Sequence, residues 1–279
     1  MSPNQNEFTA TSQKVATSIG EIAVHQRGRG AQTLVLWPSI FTDHRIYDGI
    51  VSRLSDRFRF ILIDGPGHGA SIGDDRSYTG QDFARGMIDV MDALDIERAT
   101  VGGTSWGGIT GAELAVAAPE RVEAVVLMNT PMTLDKRSPG LKARMISAGS
   151  RWMLWSNLFR DGVARSFFSA ATLERHVEYM TAFHAMLKAA SPKELSAAVR
   201  SVMLQGEPLM PRLSTITAPT LILAGKQDEM YPLSVQEEAA RRLPNGHFET
   251  VDSKHISVVD TPDAVAGALL AFMDKAVSP

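Results

Sequence analysis

The sequence predicts an α/β protein with a mostly parallel central sheet, flanking helices and an inserted helical cap. Three observations carry this. Apolar β-type runs alternate with amphipathic helical segments up to Met128 and again from Thr220. Between these stretches lie roughly eighty residues with helical periodicity and no convincing strand. The chain has 279 residues, 44% apolar and 21% charged, which suits one large core and is too short for two full enzyme domains with linkers.

The elements follow in order. Residues 14–19 and 21–25 read as a hairpin turned at Gly20, and 26–30 as a loop. Residues 33–37 form a buried apolar strand, which Pro38 stops. Helical spacing marks 46–54, a strand fills 58–64, Gly65 to Gly69 is a turn, and 79–94 is an amphipathic helix. The run 98–102 enters a glycine-rich turn, followed by helical spacing over 109–118. Residues 122–128 are a continuous buried strand. After the interruption come a strand at 220–225, a helix at 234–243, a strand at 248–251 and a closing helix at 261–276, with Asp260 at its start. The core is therefore expected over 1–132 and 212–279, with the cap over 133–211. An insertion at that edge sits over the carboxyl ends of the strands, where open α/β sheets bind ligands.

Composition excludes several classes. The net charge of −3 leaves no basic excess for a nucleic-acid backbone. With no cysteines, disulfides and thiolate chemistry are excluded. No apolar run approaches the ~20 residues of a membrane span, and Met1 to Lys14 is polar, without the apolar stretch of a secretory signal. The expectation is a cytoplasmic protein, a monomer or homodimer, with its first dozen residues frayed and a small molecule as partner.

The chemistry centres on Gly103-Thr104-Ser105-Trp106-Gly107. A strand, a sharp turn and a helix place a serine at the tip. A serine hydroxyl is a poor nucleophile unless held exposed beside a base, and a strained turn with small neighbours does that. The base must be a histidine, oriented by an acid, in chain order serine, acid, histidine. Asp228 follows the 220–225 strand and lies at its carboxyl end; Glu229 is the adjacent rival. His255 follows the 248–251 strand, whereas His247 precedes it and falls on the opposite edge. An attacked carbonyl also needs two backbone donors. The Trp106 amide is one. The other comes from the loop after Trp37, where Pro38 has no N–H, leaving Ser39, Ile40 or Phe41 with Ile40 favoured.

Together these parts resemble the α/β-hydrolase family across nearly the whole chain. The turn Asp64-Gly65-Pro66-Gly67-His68-Gly69-Ala70-Ser71 is similar to that family's D-x-x-G-x-G-x-S turn, which implies a structural His68. The stretch from Leu36 to Asp43 resembles the Asn-Ser-Leu-Gly-Thr-Asp segment of 3-oxoadipate enol-lactonases, with Phe41 in place of the glycine. The resemblance implies that Ile40 completes the oxyanion hole and that hydrolysis uses neither metal nor organic cofactor.

In the cap, Leu173, Val177, Met180, His184 and Leu187 recur at helical spacing. They pack the cap on the core, or Met180 and His184 line the pocket. Phe41 is a further candidate for substrate contact, and Trp106 either adds an aromatic wall to the pocket or buries itself beneath the helix after Ser105. The cap's aromatic and methionine content favours an apolar or aromatic substrate. The expected activity is serine hydrolysis of an ester or lactone. Two alternatives remain, carbon–carbon bond hydrolysis of a ring-cleavage product or β-diketone, and a hydrolase-fold binding protein or receptor.

Overall fold

The protein is seen in a computed structural model that describes residues 11–134, 136–137 and 139–276. The elements are β1 (Thr11–Thr17), β2 (Gly20–Arg27), β3 (Gln32–Trp37), α1 (Asp48–Leu54), β4 (Phe58–Ile63), β5 (Ile72–Gly73), α2 (Gly80–Ala93), β6 (Ala99–Thr104), α3 (Trp106–Ala117) and β7 (Val122–Met128). Then come α4 (Leu141–Trp152), α5 (Asn157–Phe167), α6 (Ala170–Arg175), α7 (Val177–Ala189) and α8 (Pro192–Gln205). The chain closes with β8 (Thr220–Gly225), α9 (Leu233–Arg242), β9 (Gly246–Val251), α10 (Ser257–Asp260) and α11 (Pro262–Ala276).

The described residues form a nine-stranded sheet ordered β1-β2-β4-β3-β6-β7-β8-β9, with β5 paired to β2. The six strands from β4 to β9 along that order are parallel; β1, β2 and β5 pair antiparallel. β6, β7 and β8 are buried along their length and mostly apolar because helices cover both faces, and only one residue among them, Glu123, is not fully buried. From β3 the chain steps outward to β4, then crosses back to β6. That reversal is a topological switch point, and the crevice at the carboxyl ends of β3 and β6 is where such sheets bind ligands. Right-handed crossovers put α2, α3 and α9 on one face, while α1 packs with α11 on the other.

Five helices, α4 to α8, separate β7 from β8. They are tied to the sheet by side chains. Ser201 accepts from the Tyr78 amide at 2.8 Å, and Glu194 from the Gly73 amide at 3.1 Å. Asp260 accepts from the Ser169 amide, the Thr172 hydroxyl and the Lys254 amide. Asp260 therefore does not start the closing helix, as its sequence context suggested. It ends the short α10 and ties the α5–α6 junction to the loop after β9.

Other differences are local. β1 already begins at Thr11, so the expected fraying does not extend through the first dozen residues; its part over 1–10 lies outside the described residues. The nucleophile-side helix starts at Trp106 rather than 109, since a glycine pair inside it is tolerated where the helix is buried on all sides. No helix of the described residues is long and apolar enough to cross a membrane.

Candidate active site

Ser105 sits between β6 and α3 with φ 55° and ψ −104°, a left-handed conformation that costs a serine about 1–3 kcal/mol. Its neighbours explain how the turn is held. A Cβ at Gly103 would lie 2.0 Å from the Trp37 carbonyl oxygen, and one at Gly107 would lie 1.7 Å from the same atom. Only glycine lets β6 and α3 come this close to the end of β3. The Ser105 amide donates to Met128 at 2.8 Å and the Gly107 amide to Pro38 at 3.1 Å. The Tyr47 hydroxyl donates to the Trp37 carbonyl at 2.6 Å and accepts from the Thr104 amide at 2.9 Å. This buried tyrosine clamps the ends of β3 and β6 together, and no motif in the sequence marks it.

Asp228 and His255 meet at the carboxyl ends of β8 and β9. Asp228 Oδ2 lies 2.8 Å from His255 Nδ1, and both side chains are 2% exposed. Asp228 Oδ1 accepts from the Met230 amide at 2.9 Å, while Oδ2 also accepts from Asn129 Nδ2 at 3.1 Å. Burial by itself raises the Asp228 carboxyl. The hydrogen bond and charge of His255, with the Met230 and Asn129 amides, outweigh burial and hold it below the ordinary carboxylate range. The backbone on both sides of His255 is fixed, through Lys254 N to Asp260 and Ile256 N to the Phe167 carbonyl. The rings of Phe167 and Tyr231 each lie 5.3 Å from the imidazole. Glu229 is exposed, and His247 sits at the start of β9 against Phe272, on the far edge of the sheet.

Ser105 and His255 border one cavity of about 530 Å³. Its wall is mostly apolar: Ile40 and Phe41 from the loop after β3, Met230 and Tyr231 beyond β8, and Met145, Phe159 and Phe167 from α4 and α5. The Phe41 amide is taken, donating to His68 Nε2 at 2.9 Å. Among the described residues no acceptor is paired with the amides of Ile40 or Trp106.

Three candidate substrate contacts fall elsewhere. The Trp106 ring is fully buried, packed edge-on against Trp37 and Phe83 at 5.1 and 4.9 Å, and faces away from the Ser105 cavity. Met180 and His184 border a separate surface depression with Asp161 and Arg160. The helical stripe that joined them to Leu173 is broken at His176, which ends α6 and precedes α7. Phe41 does line the cavity. Sequence reasoning missed Asn129 and Tyr231. Each stands one to three residues from a recognised feature, at a strand's carboxyl end, and that position was the available signal.

His25, His44 and Asp64 bring three possible ligand atoms within 4.8 Å of one another. The two imidazoles stack at 3.5 Å with 19° between their planes, so their in-plane lone pairs run side by side instead of converging. Asp64 already accepts from the His44 and Ala70 amides as well as bonding both rings. The cluster acts as a hydrogen-bonded anchor for the Asp64–Ser71 turn. Burial raises the Asp64 carboxyl, but the bonds from His25 and His44 and the Ala70 amide overcome it and hold it far below its usual value. A depressed carboxyl stabilises fully above its unfolded pKa of 3.8 and loses that contribution as pH falls below it. Asp64→Asn is expected to destabilise by about 2–4 kcal/mol near neutrality, with the gap in urea midpoint from the parent protein narrowing below about pH 4.

Comparison with known proteins agrees with this architecture. The family described as alpha/beta hydrolase fold matches residues 32–262. The chain is 25% identical over 275 residues to 3-oxoadipate enol-lactonase 2 of Acinetobacter baylyi, covering 96% of each. Among solved structures, a hydrolase from Pseudomonas aeruginosa PA01 superposes with a TM-score of 0.85 at 30% identity, covering 97% of this chain and 99% of that one. The enol-lactonase from Burkholderia xenovorans LB400 gives 0.86 at 25% identity, covering 94% and 100%. With its switch-point crevice, its strained serine turn and a family match over most of its length, the chain belongs to the alpha/beta hydrolase fold family.

Proposed function

We propose that the protein is a cofactor-independent serine hydrolase cleaving a carboxylic ester or lactone of an apolar or aromatic small molecule. The observation that carries this is the 2.8 Å His255–Asp228 bond beside an apolar cavity that Ser105 and His255 share. With Nδ1 held by Asp228, the other ring nitrogen of His255 is left to take the Ser105 proton. Ser105 attacks the carbonyl, and the oxyanion is met by the amides of Trp106 and Ile40, the former at the positive end of α3. His255 then protonates the departing alcohol, and a water activated by the same imidazole attacks the acyl carbon, breaking its bond to Ser105, releasing the carboxylic acid and returning the proton to the serine. In a lactone the alcohol remains tethered, so the product is an open hydroxy acid. The inserted helices serve as a cap, α4 and α5 supplying the apolar wall that receives the acyl side. The lactonase relatives support the lactone end of this range.

The test joins labelling to a substrate panel. A serine-directed fluorophosphonate is expected to modify Ser105, located by peptide mass spectrometry, and to abolish hydrolysis of p-nitrophenyl esters in proportion. Lactones and aromatic esters are expected to be turned over in preference to ring-cleavage diketones. Absence of labelling, or preference for the diketones, overturns the reading.

A further inference from the structure

His68 takes no part in the reaction above, yet it is fully buried beside the loop that supplies a backbone donor. Its Nε2 lies 2.9 Å from the Phe41 amide and its Nδ1 3.0 Å from the Pro66 carbonyl oxygen. An amide N–H only donates and a carbonyl only accepts. The neutral imidazole with its proton on Nδ1 is therefore the form that satisfies both. Burial favours that neutral form and lowers the His68 pKa, against the opposing pull of the Pro66 carbonyl and the Asp64 and Asp43 charges.

The residue that His68 holds is strained. Phe41 has φ 62°, a left-handed conformation that a bulky side chain rarely adopts and a glycine adopts freely. Among the described residues, the turn itself is closed by the Thr42 amide and hydroxyl on the Ser39 carbonyl at 3.2 and 2.8 Å, and its start is held by the Gly107 amide on the Pro38 carbonyl at 3.1 Å. If Phe41 relaxed to negative φ with the chain beyond it held, the Ile40 Cα would be displaced, and with it the Ser39–Ile40 peptide that carries the Ile40 N–H.

We propose that His68 is a positioning residue that, by accepting the Phe41 amide, holds the loop after β3 in its left-handed turn and keeps the Ile40 N–H available to the oxyanion. The inference rests on the serine-hydrolase reading. It assigns the need for His68 to the presence of a side chain at position 41.

The experiment is a set of double-variant cycles read by kcat and KM on a p-nitrophenyl ester. His68→Leu keeps bulk and removes the acceptor. It is expected to lower kcat about 10- to 100-fold, because a misplaced donor costs no more than the lower end of the roughly 10²- to 10³-fold loss for a donor removed outright, with KM within about threefold. His68→Gln, whose amide oxygen accepts the same N–H, is expected to recover most of that loss. In a Phe41→Gly background the leucine substitution is expected to cost less than about threefold, because glycine needs no help at positive φ. In a Phe41→Ala background, which removes the ring but keeps the Cβ, the full loss is expected to persist.

A kcat for His68→Leu within twofold of the parent, a glutamine no better than leucine, or equal losses in the glycine and alanine backgrounds would each overturn the proposal. Should His68→Leu alone fail to fold, the Phe41→Gly/His68→Leu pair still decides. It is expected to fold and turn over substrate, and its failure counts against the proposal. Ser105→Ala separates the two readings. Persisting turnover there removes the serine mechanism, whereas a dead Ser105→Ala with an indifferent His68→Leu removes only the role of His68.

Discussion

Ser105→Ala is expected to lower ester or lactone turnover by at least about 10⁴-fold while leaving the melting temperature within about 2 °C of the parent. The size follows from the proposed mechanism, in which Ser105 is the nucleophile and His255, held by Asp228, is its base. Residual turnover is expected from water attacking a carbonyl polarised by the proposed oxyanion donors. Stability is spared because alanine occupies the same left-handed backbone at the same cost, φ 55° being disfavoured for both. A companion variant makes the backbone argument separately. Ser105→Gly is expected to be equally inactive and more stable than Ser105→Ala by up to about 1 kcal/mol, because glycine relieves the strain at the tip of the turn. Stopped-flow or continuous assays at matched enzyme concentration, with differential scanning calorimetry, measure both quantities. Turnover within tenfold of the parent in Ser105→Ala would remove the serine from the reaction.

Strands and catalytic candidates were legible where one physical cause dominated. The reading of 122–128 and 220–225 agrees with β7 and β8 because strands buried on both faces are continuous apolar runs. Strand polarity separated His255 from His247: one follows β9 and meets Asp228, the other begins β9 and packs on Phe272. Legibility failed where contacts come from elsewhere in the chain. The 4-3-4-3 spacing from Leu173 to Leu187 fits one helix, but a break at His176 divides it, and spacing carries no signal for such a break. Position alone leaves Trp106 as a pocket wall or a buried ring, and Trp37 and Phe83 decide for burial by making an apolar site for it. Asn129 and Tyr47 are single polar residues whose partners lie 99 and 57 positions away, and no local pattern records such a bond.

Asp228→Asn is expected to reduce kcat/KM by about 10³- to 10⁴-fold near neutral pH, with the fold intact. The hydrogen-bond inventory explains why an isosteric change does this much. In the parent, three donors converge on one carboxylate: the Met230 amide on Oδ1, and Asn129 Nδ2 and His255 Nδ1 on Oδ2. A carboxylate accepts all three, and its depressed pKa keeps it ionised throughout the neutral range. An asparagine amide has one acceptor and one donor end. If its oxygen stays on the Met230 amide, its NH₂ faces His255 Nδ1, which must then accept. The ring proton moves to the nitrogen that should receive the serine proton, and the base is lost. If the amide flips, its NH₂ meets the Met230 N–H, and two buried donors oppose each other. Both arrangements cost either the base or a buried hydrogen bond. Fluorophosphonate labelling of Ser105 should slow in parallel with turnover, since both need the same deprotonation. Labelling and turnover within tenfold of the parent would show that His255 keeps its tautomer without a carboxylate, and the proposed role of Asp228 would fall.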